Sequence, residues 1–286
     1  MGAQVCRLIN QPLISSKWNP LQFAGLRRWS LLIFVTLVLF FIASQVPLFN
    51  FSNNPAYEAW DQFHQLEGEA PQKQWKPGSV EGITFDQQTI LEVRRTYDPA
   101  DQPGAAPSWL FTLRRVASVT THLAEGYAVL FVLLVLTLLT RFISGWNRFQ
   151  VPIQGAFLGA VTAGVLAQGL KVLIGRGRPN ELIYRAFPDW QPISFEHSHH
   201  SLPSGHSTAA GVMVMLLCVL FPRMSPLWIC SGIWLCATRV LTAEHWPSDT
   251  LPGFILGAFC CAFWISRFQP TGDLSQSSTT SQRPLE

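Results

Sequence analysis

The chain has 286 residues, of which 48% are hydrophobic and only 13% charged, with 20 Lys and Arg against 17 Asp and Glu for a net charge of +3. So few charges cannot cover the surface of a soluble globule of this size, which excludes an ordinary water-soluble domain. The small net charge gives no reason to expect a nucleic-acid partner.

Apolar runs near or above the length that crosses a hydrocarbon core recur along the chain. Residues 1–28 form a short polar tail carrying Arg7, Lys17, Arg27 and Arg28. The first run, Trp29–Leu48, follows as a transmembrane helix; Ala43-Ser44-Gln45 makes a poor cleavage site, so it reads as an uncleaved anchor. Residues 49–113 are the one sizeable hydrophilic insertion. Between Phe51 and Leu113 it holds nine acids and four bases. Tyr57, Trp60 and Phe63, and again Ile90, Val93 and Tyr97, recur at helical spacing. These pieces fit helices lying flat at the interface, or a partly ordered linker.

Five further runs fill residues 114–268: Leu123–Leu139, Ile153–Ile174, His206–Phe221, Leu227–Ala243 and Ser248–Phe268. The tail 269–286, rich in Ser, Thr and Gln, has the composition of a disordered segment. The expected fold is therefore an all-α, polytopic membrane helical bundle of about six transmembrane helices. A long extracytoplasmic loop separates the first two. Arg141, Arg148, Arg223, Arg267 and Arg283 fall on the same side as the first tail if the spans alternate. The positive-inside rule then places both termini in the cytoplasm; Arg114 and Arg115 run against it but close a long loop, where the rule is weak. Of six cysteines, five lie inside predicted spans and Cys6 lies in the first tail, positions that suit packing rather than disulfides.

Three stretches carry chemistry. Lys171 and Arg178 flank the end of one span, where Gly175, Gly177 and Pro179 predict that the helix unwinds and turns Arg178 back over the lysine. A lysine here is also what a snorkelling interfacial residue looks like. Pro203-Ser204-Gly205-His206 opens the next span, and the free N–H groups of a helix start can hold an anion; Ser204 is equally the pattern of an ordinary N-cap. Arg239 ends the following span, and His245 and Asp249 are spaced i, i+4 around Pro247. A carboxylate so placed can fix the imidazole tautomer and leave the other nitrogen free to attack, although a structural His–Asp cap has the same spacing. All three stretches project to one face of the membrane under alternating topology.

Taken in order, Lys-x6-Arg-Pro, Pro-Ser-Gly-His and Arg-x5-His-x3-Asp resemble the motifs of the type 2 phosphatidic acid phosphatase superfamily over roughly Leu123–Phe268. The resemblance implies a lipid phosphatase with His245 as nucleophile forming a phosphohistidine, Asp249 orienting it, and His206 protonating the leaving oxygen. Lys171, Arg178, Ser204, Gly205 and Arg239 would bind the phosphoryl oxygens, with no metal and no other cofactor. Implied partners are the bilayer and a phospholipid or polyprenyl phosphate or diphosphate: phosphatidylglycerophosphate, phosphatidic acid, undecaprenyl pyrophosphate or the phosphate of lipid A. A phosphotransferase using the same site, and a non-catalytic membrane binding protein, are the alternatives. The sequence departs from the family pattern at Thr238, usually Ser, and at Ala243-Glu244, where a Gly is common. Glu196, His197, His199 and His200 lack the spacing of a defined metal site and read as a solvated loop near the substrate entrance. The oligomeric state is not encoded in any feature of the sequence.

Overall fold

A computed structural model describes residues 42–45, 47–49, 83–94, 96, 107–179 and 190–268. The tails 1–28 and 269–286, most of the run 29–48, and Tyr57, Trp60, Phe63, His64 and Tyr97 lie outside the described residues.

The described chain is mostly helical. Two short strands, β1 (Pro47–Phe49) and β2 (Ile83–Thr84), pair antiparallel and lead into α1 (Phe85–Arg94). This two-stranded pair is a small departure from an otherwise helical chain. Then come α2 (Ser108–Thr120), α3 (Gly126–Phe142), α4 (Asn147–Ile174), α5 (Gly205–Leu220), α6 (Ser225–Leu241) and α7 (Pro247–Phe268). Helix α2 was not among the predicted elements. A 3-10 turn over Thr121–Ala124 joins it to α3 with a bend of 42°, and Glu125 stands at the break. The apolar run predicted from Leu123 therefore starts as a helix only at Gly126.

Helix boundaries follow local chemistry. Helix α4 stops at Gly175, whose φ of 59° is left-handed, and its N–H closes on the Lys171 carbonyl at 2.9 Å. A side chain there would collide with the Gln191 carbonyl, so glycine is required twice over. Helix α5 is capped by Ser204, whose Oγ accepts from the Ser207 N–H at 3.4 Å.

Helices α4, α5 and α7 form the centre of the bundle, with α3 packed beside them. Val129 and Leu133 of α3, Ala156 and Ala163 of α4, Val212 and Leu216 of α5, and Cys261 and Ile265 of α7 share one buried cluster. Small residues let these helices approach closely, as membrane helices do when no hydrophobic effect drives them together. A Cβ on Gly159 would lie 2.6 Å from the Cys261 Cα, and one on Gly257 would lie 1.9 Å from the Thr208 carbonyl oxygen. Gly257→Ala should therefore push α7 off α5 and cost about 1–3 kcal/mol. The readout is a lower unfolding midpoint in detergent; an unchanged midpoint would show that the contact relaxes freely.

Three described helices are long and apolar enough to cross a membrane: Asn147–Ile174, Pro222–Leu241 (α6 with its preceding turn) and Pro247–Phe268. The bent pair Ser108–Ala124 and Gly126–Phe142 makes a fourth if it counts as one span, and α5 is a shorter apolar helix. Large apolar side chains such as Phe131, Phe142, Val165, Leu173 and Ile233 are exposed along them. Outward-facing apolar helices around a core of small residues are the construction of an integral membrane protein. Helix α1 sits at one end of this bundle, against α6 and α7, with Ile90 and Val93 buried. Of the two expected placements, a helix at the interface or a partly ordered linker, the packed helix favours order for Phe85–Arg94.

Candidate active site

The two arginines of the cation set arrive from different elements. Past Gly175 the chain does unwind, and Arg178 is held by its N–H donating to the Ser198 carbonyl at 2.8 Å. Arg239, in the last turn of α6, donates from Nη1 to Thr121 Oγ1 at 2.8 Å. The Nε–H groups of Arg178 and Arg239 are buried without a hydrogen-bond partner among the described residues. Buried charged donors without acceptors are costly, and an anion is what relieves them. Lys171 is buried in the last turn of α4, within electrostatic range of both arginines. Its Nζ lies 3.5 Å from where a Cβ on Gly205 would stand, so the start of α5 faces the same point.

His206, half-buried in the first turn of α5, is an electrostatic neighbour of Arg239, His245 and Lys171. Ser204 is fully buried; beyond its cap, its N–H donates to the Asp249 carbonyl at 3.1 Å. Thus α5 is tied directly to the start of α7. Thr238, in place of the usual Ser, keeps its hydroxyl within 3.2 Å of Thr121 Oγ1.

His245 sits just before α7 and is 2% exposed, while Asp249 in its first turn is 0% exposed. The i, i+4 spacing does bring them together: His245 Nδ1 faces Asp249 Oδ2 at 3.6 Å. That is ion-pair range but too long for a hydrogen bond, and Nδ1 has no other hydrogen-bond partner among the described residues. Relays of this type are commonly loose without substrate and tighten in the reactive complex. Asp249 cannot drift, because Oδ2 also accepts from Ser201 Oγ at 2.5 Å and from the Trp246 N–H at 3.0 Å.

The residue that the motif reading missed is Arg176, 5% exposed and bracketed by two carboxylates. Its Nη1 donates to Asp249 Oδ1 at 2.5 Å and its Nη2 to Asp86 Oδ2 at 2.8 Å. Nη1 also reaches Ser248 Oγ at 2.7 Å, and the guanidinium lies over the rings of Trp190 and Trp246. Asp86, 1% exposed at the start of α1, further accepts from the Ser248 N–H at 3.2 Å, from Ser248 Oγ, and from Gln45 Nε2 at 2.8 Å. The hydrophilic insertion thus supplies the outermost member of a buried chain running Asp86, Arg176, Asp249, His245. The sequence signal was a second arginine two residues before Arg178, set between glycines.

At the mouth of the site, Glu244 places Oε2 3.3 Å from Arg178 Nη1 and 3.8 Å from Arg239 Nη2. The turn that presents it puts Ala243 at a φ of 54°, a left-handed conformation that glycine adopts freely and alanine does not.

The loop over 190–201 is solvated in part: Phe195, Glu196 and His197 are exposed, while Ser194, His199 and Ser201 are buried. It braces the unwound segment, with Gln191 N–H on the Gly175 carbonyl at 2.8 Å and Ser201 N–H on the Arg176 carbonyl at 3.1 Å. His199 is buried, and His200 Nε2 is 2.9 Å from the Ser194 carbonyl. His197 stays near the cation cluster; the charge of Arg178, then partial burial, holds it below the usual imidazole range. Among the described residues no three His, Cys, Asp or Glu side chains are grouped as metal ligands. His122 has Nδ1 2.5 Å from Glu125 Oε1.

Burial holds His245 down to about 4, only partly offset by Asp249, and the cations Arg178 and Arg239 lower it further. The imidazole is therefore neutral, and able to attack, at any pH well above 4. An NMR titration of His245 in the free protein should find its midpoint far below 6.5. The acid limb of kcat/KM that belongs to the enzyme should follow it. A His245 midpoint at or above 6.5 would contradict the closed, cation-lined setting described here.

Residues 154–272 match the family model described as the PAP2 superfamily. A lipid A 1-phosphatase of Rhizobium johnstonii is 39% identical over 103 residues, covering 36% of this chain and 42% of that protein. One from Rhizobium etli is 38% identical over 103 residues, covering 36% of this chain and 44% of the relative. The matched segment is thus less than half the length of either curated relative. A solved transmembrane PAP2-type phosphatidylglycerolphosphate phosphatase from Bacillus subtilis superposes with a TM-score of 0.39 at 21% identity, covering 75% of this chain and 95% of that one. The stretch that matches the PAP2 superfamily model contains Lys171, Arg178, His206, Arg239, His245 and Asp249, the side chains that the three motifs singled out.

Proposed function

We propose that the chain is a membrane lipid phosphatase working through a phosphohistidine. The observation that carries this reading is the pair of arginines with unpartnered buried donors, converging beside a histidine that has a fully buried carboxylate behind it. In the proposed cycle His245 attacks phosphorus through Nε2 while Nδ1 turns to Asp249. A P–N bond forms, the P–O bond to the lipid breaks, and His206 gives its proton to the departing oxygen. His206, now neutral, takes a proton from water as that water attacks the phosphohistidine. Inorganic phosphate leaves and both histidines return to their starting states. Lys171, Arg178 and Arg239, with the Ser204 hydroxyl and the Gly205 N–H, hold the three non-bridging oxygens. Phosphoryl transfer needs positioning and charge neutralisation above all, and three fixed cations provide both without a metal ion.

The proposed architecture has six spans, with residues 29–48 as the first and α5 as a short fourth. Residues 49–113 lie outside the cytoplasm, 114–268 form the catalytic core, and the tails 1–28 and 269–286 are cytoplasmic. The site then opens on the extracytoplasmic side of a bacterial inner membrane. Both curated relatives are named for lipid A, which favours a lipid A phosphate ahead of phosphatidylglycerophosphate, phosphatidic acid and undecaprenyl pyrophosphate.

The test is phosphate release from these four lipids in detergent micelles containing EDTA. Release on at least one lipid, undiminished by the chelator, is the expected result. A strict requirement for magnesium would overturn the cation-only site. Transfer of labelled phosphate to a second lipid instead of water would make the chain a phosphotransferase.

A further inference from the structure

Glu244 occupies a place that the proposed cycle does not use. Its single oxygen Oε2 is shared between Arg178 and Arg239, as a phosphoryl oxygen would be. At 38% side-chain exposure it stands on the open side of a pocket whose closed side is filled by His245 and Asp249. In an in-line displacement the leaving oxygen departs opposite the attacking nitrogen. Attack comes from the buried histidine, so the leaving group must point toward the open side, where Glu244 is. We infer that Glu244 is a specificity-determining residue that selects phosphate monoesters over diphosphates. The inference rests on the phosphatase reading above.

A monoester brings one phosphoryl group to the cations and an uncharged oxygen to the mouth. Glu244 then gives up part of its hold on the arginines and is free to accept from a hydroxyl or ammonium group on the departing alcohol. A diphosphate brings a second anionic phosphoryl group to the same mouth, beside a carboxylate already paired with the cations it needs. Like charges at that spacing repel, and partial exclusion of water strengthens the effect. The backbone keeps the carboxylate in place: the Glu244 N–H donates to the Arg239 carbonyl at 3.1 Å, and the left-handed turn at Ala243 fixes its direction.

The experiment compares the full chain with its E244Q and E244A variants in detergent micelles. Inorganic phosphate and pyrophosphate serve as binding probes; a polyprenyl monophosphate and diphosphate of equal chain length serve as substrates. Both variants should shift the ratio of pyrophosphate to phosphate affinity by about tenfold toward pyrophosphate. The diphosphate-to-monophosphate ratio of kcat/KM should move the same way, and E244D should restore the wild-type preference. Equal strengthening or equal weakening of both probes would overturn the proposal, leaving Glu244 as a brace or general competitor for the arginines. Absence of phosphate release from every lipid by the wild type would sink the phosphatase reading, while the binding ratio would still decide the role of Glu244.

Discussion

His245→Ala will abolish phosphate release, with a loss of at least about 10⁴-fold in kcat, the scale seen when a covalent nucleophile is removed from a preorganised site. No described neighbour can replace it: Asp249 is 0% exposed and committed to Arg176, Ser201 and the Trp246 N–H. The cations remain, so the variant should still bind inorganic phosphate, and its unfolding midpoint in detergent should be close to that of the wild type. Acid-labile incorporation of phosphate from a labelled lipid should vanish with the activity. Retention of both in His245→Ala would disprove the phosphohistidine. Loss of binding together with turnover would indicate collapse of the pocket instead.

The second large effect is expected at Arg176. Its methionine variant removes the cation that, among the described residues, pairs with both Asp86 and Asp249, which are 1% and 0% exposed. Removing one partner of a buried ion pair costs about 3–5 kcal/mol, because the stranded charge remains in a medium that solvates it poorly. Here two carboxylates are stranded, and one of them orients the nucleophile. Arg176→Met should therefore lower the unfolding midpoint markedly and reduce kcat by about 10²-fold or more through a mispositioned Asp249. Arg176→Lys keeps a charge but not the fork that reaches two carboxylates and Ser248 together, so it should fall between. The measurements are thermal unfolding in detergent and kcat against KM. A substrate-binding role for Arg176 would raise KM, whereas the geometry predicts a fall in kcat.

What the sequence made legible depended on the range of the interactions. Gly175 and Pro247 punctuate helices locally, and α4 and α7 end and begin where they predict. The spacing of His245 and Asp249 encodes proximity on one turn, and the pair does meet, though it stops at 3.6 Å. Periodicity could not resolve the region from α2 to α3, because the apolar run begins at Leu123 inside the 3-10 turn, and the break at Glu125-Gly126 interrupts it without ending it. The role of Arg176 was hidden for another reason. Its partners lie 90 residues earlier and 73 residues later, and only the assembled bundle places them around it. The same holds for β1 and β2, which are too short to be signalled by their own residues and exist by pairing across the insertion.

The position of Asp86 also bears on how chains of this kind can diverge. An insertion joined to a bundle only at its ends could be exchanged between relatives as a cassette. Here α1 contributes a buried carboxylate to Arg176 and accepts the Ser248 N–H at the start of the helix that carries Asp249. A chimera that imports a foreign insertion without an acid in that register would leave the host arginine half-paired. Asp86 and Arg176 are therefore a compatibility lock, and recombination should preserve them together or lose them together.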